Sequence, residues 1–308
     1  MSADSMRVRR SFSRVWPVAL LAGPGLAWAQ VLPPAGEAAA PAAESPASAV
    51  SADEPAASPP PAPYLRTQIG MALETRPTYL GSPNRETKLR PVLGLQYGRF
   101  RLSSSRASLV ESSGGGGQLS GASVDLSPRG PWSLNAALRI DHGRGAGDDP
   151  LLAGLPEVRQ TVRGRVSARY AITPKWSAGA SVSTDMLNRK GGTLGALDVG
   201  WSTMLTPTWR WTLGGGLGLA DATYMRSYHG ISPEVAAATS RTAYVPGAGM
   251  HGVGVSTGLT WNVSPAWRLG ATGAFGRLTG PAVDSPLTQA RNNWSVSVGA
   301  VWVKDWRD

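Results

Sequence analysis

The sequence predicts an all-β protein, a transmembrane antiparallel β-barrel of about twelve strands in an up-and-down meander. Three observations carry that prediction. Apolar residues recur with period two in segment after segment, a turn of one composition returns four times with a Trp behind it, and short and long connections alternate.

Composition narrows the alternatives first. The chain of 308 residues holds 38 Gly and 12 Trp but only 3 Phe, no Cys, and 16% charged residues. Without Cys there is no disulfide framework, thiolate metal site or lipid-anchored cysteine. No run of 18 apolar residues occurs, which argues against a membrane-spanning helix. Little charge with much Gly and Trp suits a barrel with aromatic girdles and a tightly packed lumen.

The N-terminus reads as an address. Arg7, Arg9, Arg10 and Arg14 precede a short apolar stretch from Val15 to Ala22, and Ala27-Trp28-Ala29 forms a small-x-small cleavage site. Residues 1–29 are therefore expected to be a secretory signal peptide, with a mature start near Gln30 and a destination in a Gram-negative outer membrane. Its removal takes four Arg and one Asp and lowers the formal charge from +10 to +7. The basic residues do not cluster on a helix and the chain leaves the cytoplasm, so nucleic acid is a poor partner for that charge. Residues 30–63 are nearly all Ala, Pro, Ser and Glu, too poor in large apolar side chains to offset their ordering entropy. They read as a disordered periplasmic segment, either a tether reaching toward the cell wall or a neutral spacer. The barrel body occupies 64–308.

From Tyr64 onward the period is two. Leu65, Thr67, Ile69, Met71 and Leu73 alternate with Arg66, Gln68, Gly70, Ala72 and Glu74. Near residue 160, Val158, Val162, Val166, Ala168 and Tyr170 interleave with Arg159, Thr161, Arg163, Arg165, Ser167 and Arg169. The last strand sets Trp294, Val296, Val298, Ala300 and Trp302 against Ser295, Ser297 and Gly299. A strand puts such sets on opposite faces; a helix mixes them.

The recurring turns are LSPRGPW (126–132), ITPKW (172–176), LTPTW (205–209) and VSPAW (263–267). Pro presets the second position of a tight turn and Ser or Thr favours the first. Each then hands over to a Trp, namely Trp132, Trp176, Trp209 and Trp267. Placed outward at a strand start, these four fit the membrane–water interface, where an amphipathic ring is at home. The predicted strands are 65–75, 89–98, 100–111, 118–126, 132–141, 157–172, 175–186, 194–205, 209–223, 250–263, 267–277 and 293–303. The Pro turns and Gly98-Arg99 make the short, periplasmic connections. The long, polar ones (76–88, 142–156, 187–193, 224–249 and 278–292) are external, with the glycine run 114–117 a short exception. Arg106 and Asp125 weaken the apolar faces of the third and fourth strands.

If the Val face meets lipid, the arginine ladder Arg159, Arg163, Arg165 and Arg169 must face the lumen, since Arg on the lipid face near the midplane costs about 2–4 kcal/mol. Arg66, Arg90, Arg139 and Arg210 share that inward parity, with Glu74, Asp141, Asp185 and Asp198 as acidic counterparts. Either the lumen is a narrow, anion-favouring pore, or Arg and carboxylate pair and fill it.

Catalysis and cofactors have thin support. His142, His229 and His251 lie in or beside predicted external loops, with no nucleophile at a telling distance. His229 with Asp221, or His142 with Asp148 and Asp149, could form a loop dyad, and Asp141, Asp148 and Asp149 could hold a divalent ion, but solvated loop polars read more simply. Gly214, Gly215, Gly216 and Gly218 lie inside a strand with no helix behind them, so they form no phosphate loop; close luminal packing accounts for them. The expectation is a protein that is not an enzyme and needs no cofactor.

Three stretches carry a family resemblance across roughly 64–302. PTYLGS, with Pro77, Tyr79, Gly81 and Ser82, resembles the P-x-Y-x-G-S of the MipA/OmpV outer-membrane family. The segment from His142 to Val158 resembles that family's Arg-Asp-Gly-Leu loop. YHGIS, with Tyr228 and Gly230, and the stretch from Tyr244 to Gly249 are similar to its later tyrosine-glycine motifs. The resemblance implies a barrel held in outer-membrane lipid and acting as a scaffold or adaptor for a periplasmic lytic transglycosylase and a murein synthase. A small-solute channel favouring anions and a loop-based adhesin are the other readings. Such barrels usually end on an aromatic read by the insertion machinery; here Lys304 stands at that place, so either Trp302 serves or the end is atypical.

Overall fold

The computed structural model describes residues 65–104, 121–126 and 130–306. The predicted signal peptide and tether, Arg106, the glycine run 114–117 and the middle of the first Pro-Trp turn lie outside the described residues. Twelve strands form a closed antiparallel barrel: β1 (Leu65–Pro77), β2 (Arg85–Tyr97), β3 (Phe100–Ser103), β4 (Gly121–Asp125), β5 (Trp132–Asp141), β6 (Thr161–Ala171), β7 (Trp176–Asp185), β8 (Thr193–Met204), β9 (Trp209–Ala220), β10 (Gly249–Asn262), β11 (Trp267–Leu278) and β12 (Asn292–Trp306). Each pairs with its chain neighbours, and β1 closes on β12 from Leu65↔Trp306 to Thr75↔Val296.

The two faces separate as the period demands. In β6, Val166 is 62% exposed on the outside while Arg163 on the inside is 1% exposed. Leu89, Leu93, Val182, Leu197, Val255, Phe275 and Val298 continue the outward apolar band. A closed ladder leaves no strand edge, and the band turns apolar atoms outward, so the barrel meets the two requirements for crossing hydrocarbon. The lumen also has an apolar sector, where Ala72, Val92, Val301 and Val303 bury one another.

The Pro-Trp turns are built by their hydroxyls. Thr173 Oγ1 accepts from the N–H groups of Lys175 and Trp176 at 3.2 and 3.0 Å. Thr206 does the same for Thr208 and Trp209, and Ser264 for Ala266 and Trp267. Each recurring Trp stands opposite a second aromatic: Trp132↔Tyr170, Trp176↔Trp201, Trp209↔Trp261 and Trp267↔Trp302. The Trp209 and Trp261 rings stack with centroids 5.2 Å apart. One girdle of paired rings thus runs along the short-turn end, where cross-strand aromatic pairs also reinforce register.

Several boundaries differ from the sequence reading. β1 and β2 climb higher than 75 and 89, because Arg76 and Glu86 face each other across the ladder and pair at 2.7 Å. β12 runs past 303 to Trp306, whose outward ring donates through Nε1 to Thr67 Oγ1 at 3.1 Å. Trp306 is thus an outward aromatic of β12 beyond Trp302. β9 stops at Ala220 rather than 223, because Asp221 caps a helix by accepting from Tyr224 N. That helix, α1 (Ala222–His229), and α2 (Pro233–Thr239) occupy the long β9–β10 connection.

A charge on the outward face tests this partition. Val166→Arg, near the middle of β6, is expected to destabilise the barrel by about 2–4 kcal/mol, read from urea-dependent folding into lipid vesicles. A loss below about 0.5 kcal/mol would mean that this face does not meet hydrocarbon.

Candidate functional site

The long connections fold into a cap over one mouth of the barrel. Its centre is Asp149, 2% exposed, which accepts from Ser82 Oγ at 2.7 Å, Asn84 Nδ2 at 3.1 Å, Leu151 N at 2.9 Å and also Thr78 Oγ1. Burial alone would push its proton affinity up, but these four donors outweigh that and hold the carboxyl below the usual carboxylate range. The loop that supplies three of them is shaped by the P-x-Y-x-G-S residues. Pro77 ends β1, and Gly81 adopts φ +104°, a left-handed backbone that disfavours any side chain. Tyr79 donates its hydroxyl to Leu287 O at 2.9 Å and packs on Leu152, Leu155, Ile231, Ala236 and Leu287. Burial raises the Tyr79 phenol to about 12, with Asp149 adding to the shift, so this donor keeps its proton.

A second node ties α1 to the barrel wall. Asp141 at the top of β5 accepts from Arg163 Nε at 2.6 Å, from Tyr228 OH at 3.0 Å and from Gly143 N at 2.9 Å. Arg163 spends its other donors on Gly191 O and Gly192 O at 2.6 and 3.1 Å. Tyr224 and Tyr228 stack at 4.3 Å, and Tyr224 packs with Met225, Ala220, Leu278 and Ala282. Gly230 caps α1 in a place where a Cβ would meet Arg226 O at 2.4 Å. Thus Tyr228 and Gly230, like Pro77, Tyr79, Gly81 and Ser82, are cap-building residues.

Beneath the cap lies a luminal cavity of about 1200 Å³. It runs from Arg66, Gln96 and Arg101 near the short turns to Tyr79, Arg144 and His229 under the cap. Nine Lys or Arg and five Asp or Glu line it, a formal excess of four positive charges. On the β1–β2 wall the charges pair, with Glu86 between Arg76 at 2.7 Å and Lys88 at 2.5 Å. On the β5–β6 wall Arg139 and Arg165 are diagonal neighbours; Arg165 donates to Ser181 Oγ at 2.9 Å and itself has no carboxylate in ion-pair range among the described residues. Arg169 pairs with Asp198 across β7. On β9, Gly214, Gly216 and Gly218 line up on the inward side, where a Cβ at Gly218 would meet His251 Nε2 at 2.4 Å.

The structure divides the predicted ladder. Arg165 and Arg169 reach the cavity, Arg163 is consumed by Asp141 and two carbonyls, and Arg159 is exposed outside β6. Parity fails at Arg159 because Val158 bonds to Arg144 through both backbone groups at 2.9 Å, folding that segment into the cap before β6 begins. Val158 is accordingly buried in the cap instead of facing lipid. Asp185 points to its own loop, accepting from the N–H groups of Leu187, Arg189 and Gly191 and from Thr161 Oγ1. Asp141, Asp148 and Asp149 do not converge on an ion: Asp141 holds Arg163, Asp148 accepts from Gly145 N at 2.6 Å, and Asp149 holds the first loop. His229 does not meet Asp221, which is the α1 cap. The sequence reading missed His251 as a luminal residue; a β-bulge at Met250/Gly252 turns it inward toward Tyr224, ring centroids 5.8 Å apart.

Two measurements probe the cap. Asp149→Ala removes the acceptor for four donors and is expected to cost about 3 kcal/mol, read as faster proteolysis of the external loops in an intact barrel. His229 is lowered from 6.5 to about 4, first by burial, then by His251 and Arg144. An undocked cap therefore binds that proton more readily between these values, so docking is full above pH 6.5 and weakens as pH falls toward 4. His229→Asn is expected to flatten that window in a protease-protection profile, and an unchanged profile would assign the acid sensitivity to other groups.

The solved structures similar to this chain are barrels. The outer-membrane OmpT of Vibrio cholerae shares 11% identity, covering 78% of this chain and 97% of its own, with a TM-score of 0.37. The NanC porin shares 8% over 76% of this chain and 98% of its own at 0.39, and the KdgM porin 9% over 76% and 98% at 0.38. At these scores the likenesses carry no argument, and the closed barrel rests on the chain's own ladder. No curated protein matches the sequence. The family model described as "MltA-interacting protein MipA" matches residues 69–303, which takes in every motif of the cap and all twelve strands in part or whole; the chain belongs to the MipA family.

Proposed function

We propose that this protein is an outer-membrane barrel whose lumen takes up small anionic solutes. The observation that carries the reading is the cavity of about 1200 Å³ with nine basic and five acidic lining residues. Fixed charge of one sign in a low-dielectric channel raises the local concentration of the opposite ion, and rings of Arg favour anions. The cap makes this a gated or one-sided lumen rather than a wide diffusion pore, because its loops pack through Leu152, Ile231 and Leu287 across the mouth. Export belongs to the same reading, with residues 1–29 as a cleaved signal and 30–63 as a periplasmic tether or spacer.

A second reading is favoured by the family description, which is of an MltA-interacting protein. In that reading the barrel is a scaffold that presents its short turns and the 30–63 segment to murein-cleaving and murein-synthesising enzymes. It makes no demand on the lumen, and nothing in it needs catalysis by this chain.

Conductance separates the two. The purified barrel in a planar bilayer is expected to carry current with anions preferred over cations. Changing Arg139 and Arg165 together to Gln should lower the permeability ratio by about threefold or more. A folded, heat-modifiable barrel that passes no current would overturn the solute reading and leave the scaffold. Capture of a membrane-bound lytic transglycosylase, lost on deleting 30–63, is then the expected result.

A further inference from the structure

Arg144 is 5% exposed, lies under the cap on the cavity wall, and has no carboxylate in ion-pair range among the described residues. Among the described residues its guanidinium donates from Nη1 to the Tyr228 carbonyl at 2.8 Å. A buried guanidinium without a counter-charge is costly, and buried charges are ordinarily paired. The nearby acids are engaged elsewhere. Asp141 serves Arg163, Tyr228 and Gly143, Asp149 serves the first loop, and Asp148, whose charge acts on Arg144 from beyond ion-pair range, accepts from Gly145 N. Beside Arg144 on the same wall, His229 is 2% exposed and its Nε2 has no hydrogen-bond partner.

We propose that Arg144 and His229 form an oxyanion-binding site at the top of the lumen, taking the carboxylate or phosphate of a small polar solute. The site rests on the reading that anions enter the lumen, and it names the group they present. The guanidinium offers its planar fork of N–H donors to two oxygens, and the neutral imidazole can add a third donor. A solute would enter from the short-turn end past Arg165 and Arg139, where the wall is cationic, and stop at the cap. The cavity volume, about 1200 Å³, exceeds that of an ordinary small-molecule pocket, so a sugar acid or sugar phosphate fits without displacing the cap.

The test is calorimetric titration of the full barrel in detergent at pH 7.5 with inorganic phosphate and, separately, with glucuronate. Wild type is expected to bind at least one probe, and Arg144→Gln to weaken it about tenfold or more. Arg85→Gln, on the outer face over Trp294, should leave binding within about twofold. Binding of phosphate alone assigns a phosphorylated solute and binding of glucuronate alone a carboxylate. Should Arg144→Gln fail to fold, Arg144→Lys is expected to keep measurable binding and His229→Gln to weaken it. No binding of either probe to wild type, or equal binding by the Arg144 and Arg85 variants, overturns the site. Binding without conductance would keep the site and remove the transport reading.

Discussion

The pairing of β1 with β12 is the constraint on which everything else hangs. In hydrocarbon no water replaces a missing partner, so each N–H and C=O of the span must find one on a neighbouring strand. The ladder from Leu65↔Trp306 to Thr75↔Val296 removes the only two edges a twelve-strand meander would leave. Closure also fixes parity around the whole ring. Once Ile69 and Leu73 face lipid, Trp302 and Val298 must do so opposite them, and Val301 and Val303 must turn inward. A slip of one residue at that seam would put Arg66 and Glu74 into the bilayer.

Closure creates an interior, and the interior is divided by charge. The β1–β2 wall is close to neutral because Glu74 and Glu86 sit among Arg76, Lys88 and Arg90. The β5–β6 wall is not, since Arg165 donates to a serine hydroxyl and has no carboxylate in ion-pair range among the described residues. Glycines on β9 leave space that side chains would otherwise fill, and His251 occupies part of it at Gly218. The result is a lumen that is neither a packed core nor an even pore, with a positive sector that leads toward Arg144.

The cap works as a small soluble fold resting on the barrel. It has its own apolar cluster around Leu152 and Ile231, its own capped helices, and polar nodes at Asp141 and Asp149. The motifs that carry the family resemblance fall on these nodes: Ser82 on Asp149, Tyr79 on Leu287, Tyr228 on Asp141. On this chain the residues of the resemblance therefore serve to hold the cap together.

The sequence by itself determined the barrel. Period two fixes which face each residue takes, Ser/Thr-Pro turns fix where strands reverse, and Trp at each reversal fixes the interface, all through contacts within a hairpin. It could also read Arg165 and Arg169 as luminal, because parity within a strand is local. It could not place Arg159 or Val158, since their parity is overridden by bonds to Arg144 across a loop. Nor could it find α1 and α2 or the inward turn of His251, which depend on a cap at Asp221 and on a bulge in β10. Whether an arginine is spent or available was decided only by the tertiary structure. Arg163 and Arg165 sit on the same face of the same strand, yet Asp141 reaches one and not the other. Charge pairing depends on which side chains converge from distant strands and loops, and residue spacing along one strand holds no record of that.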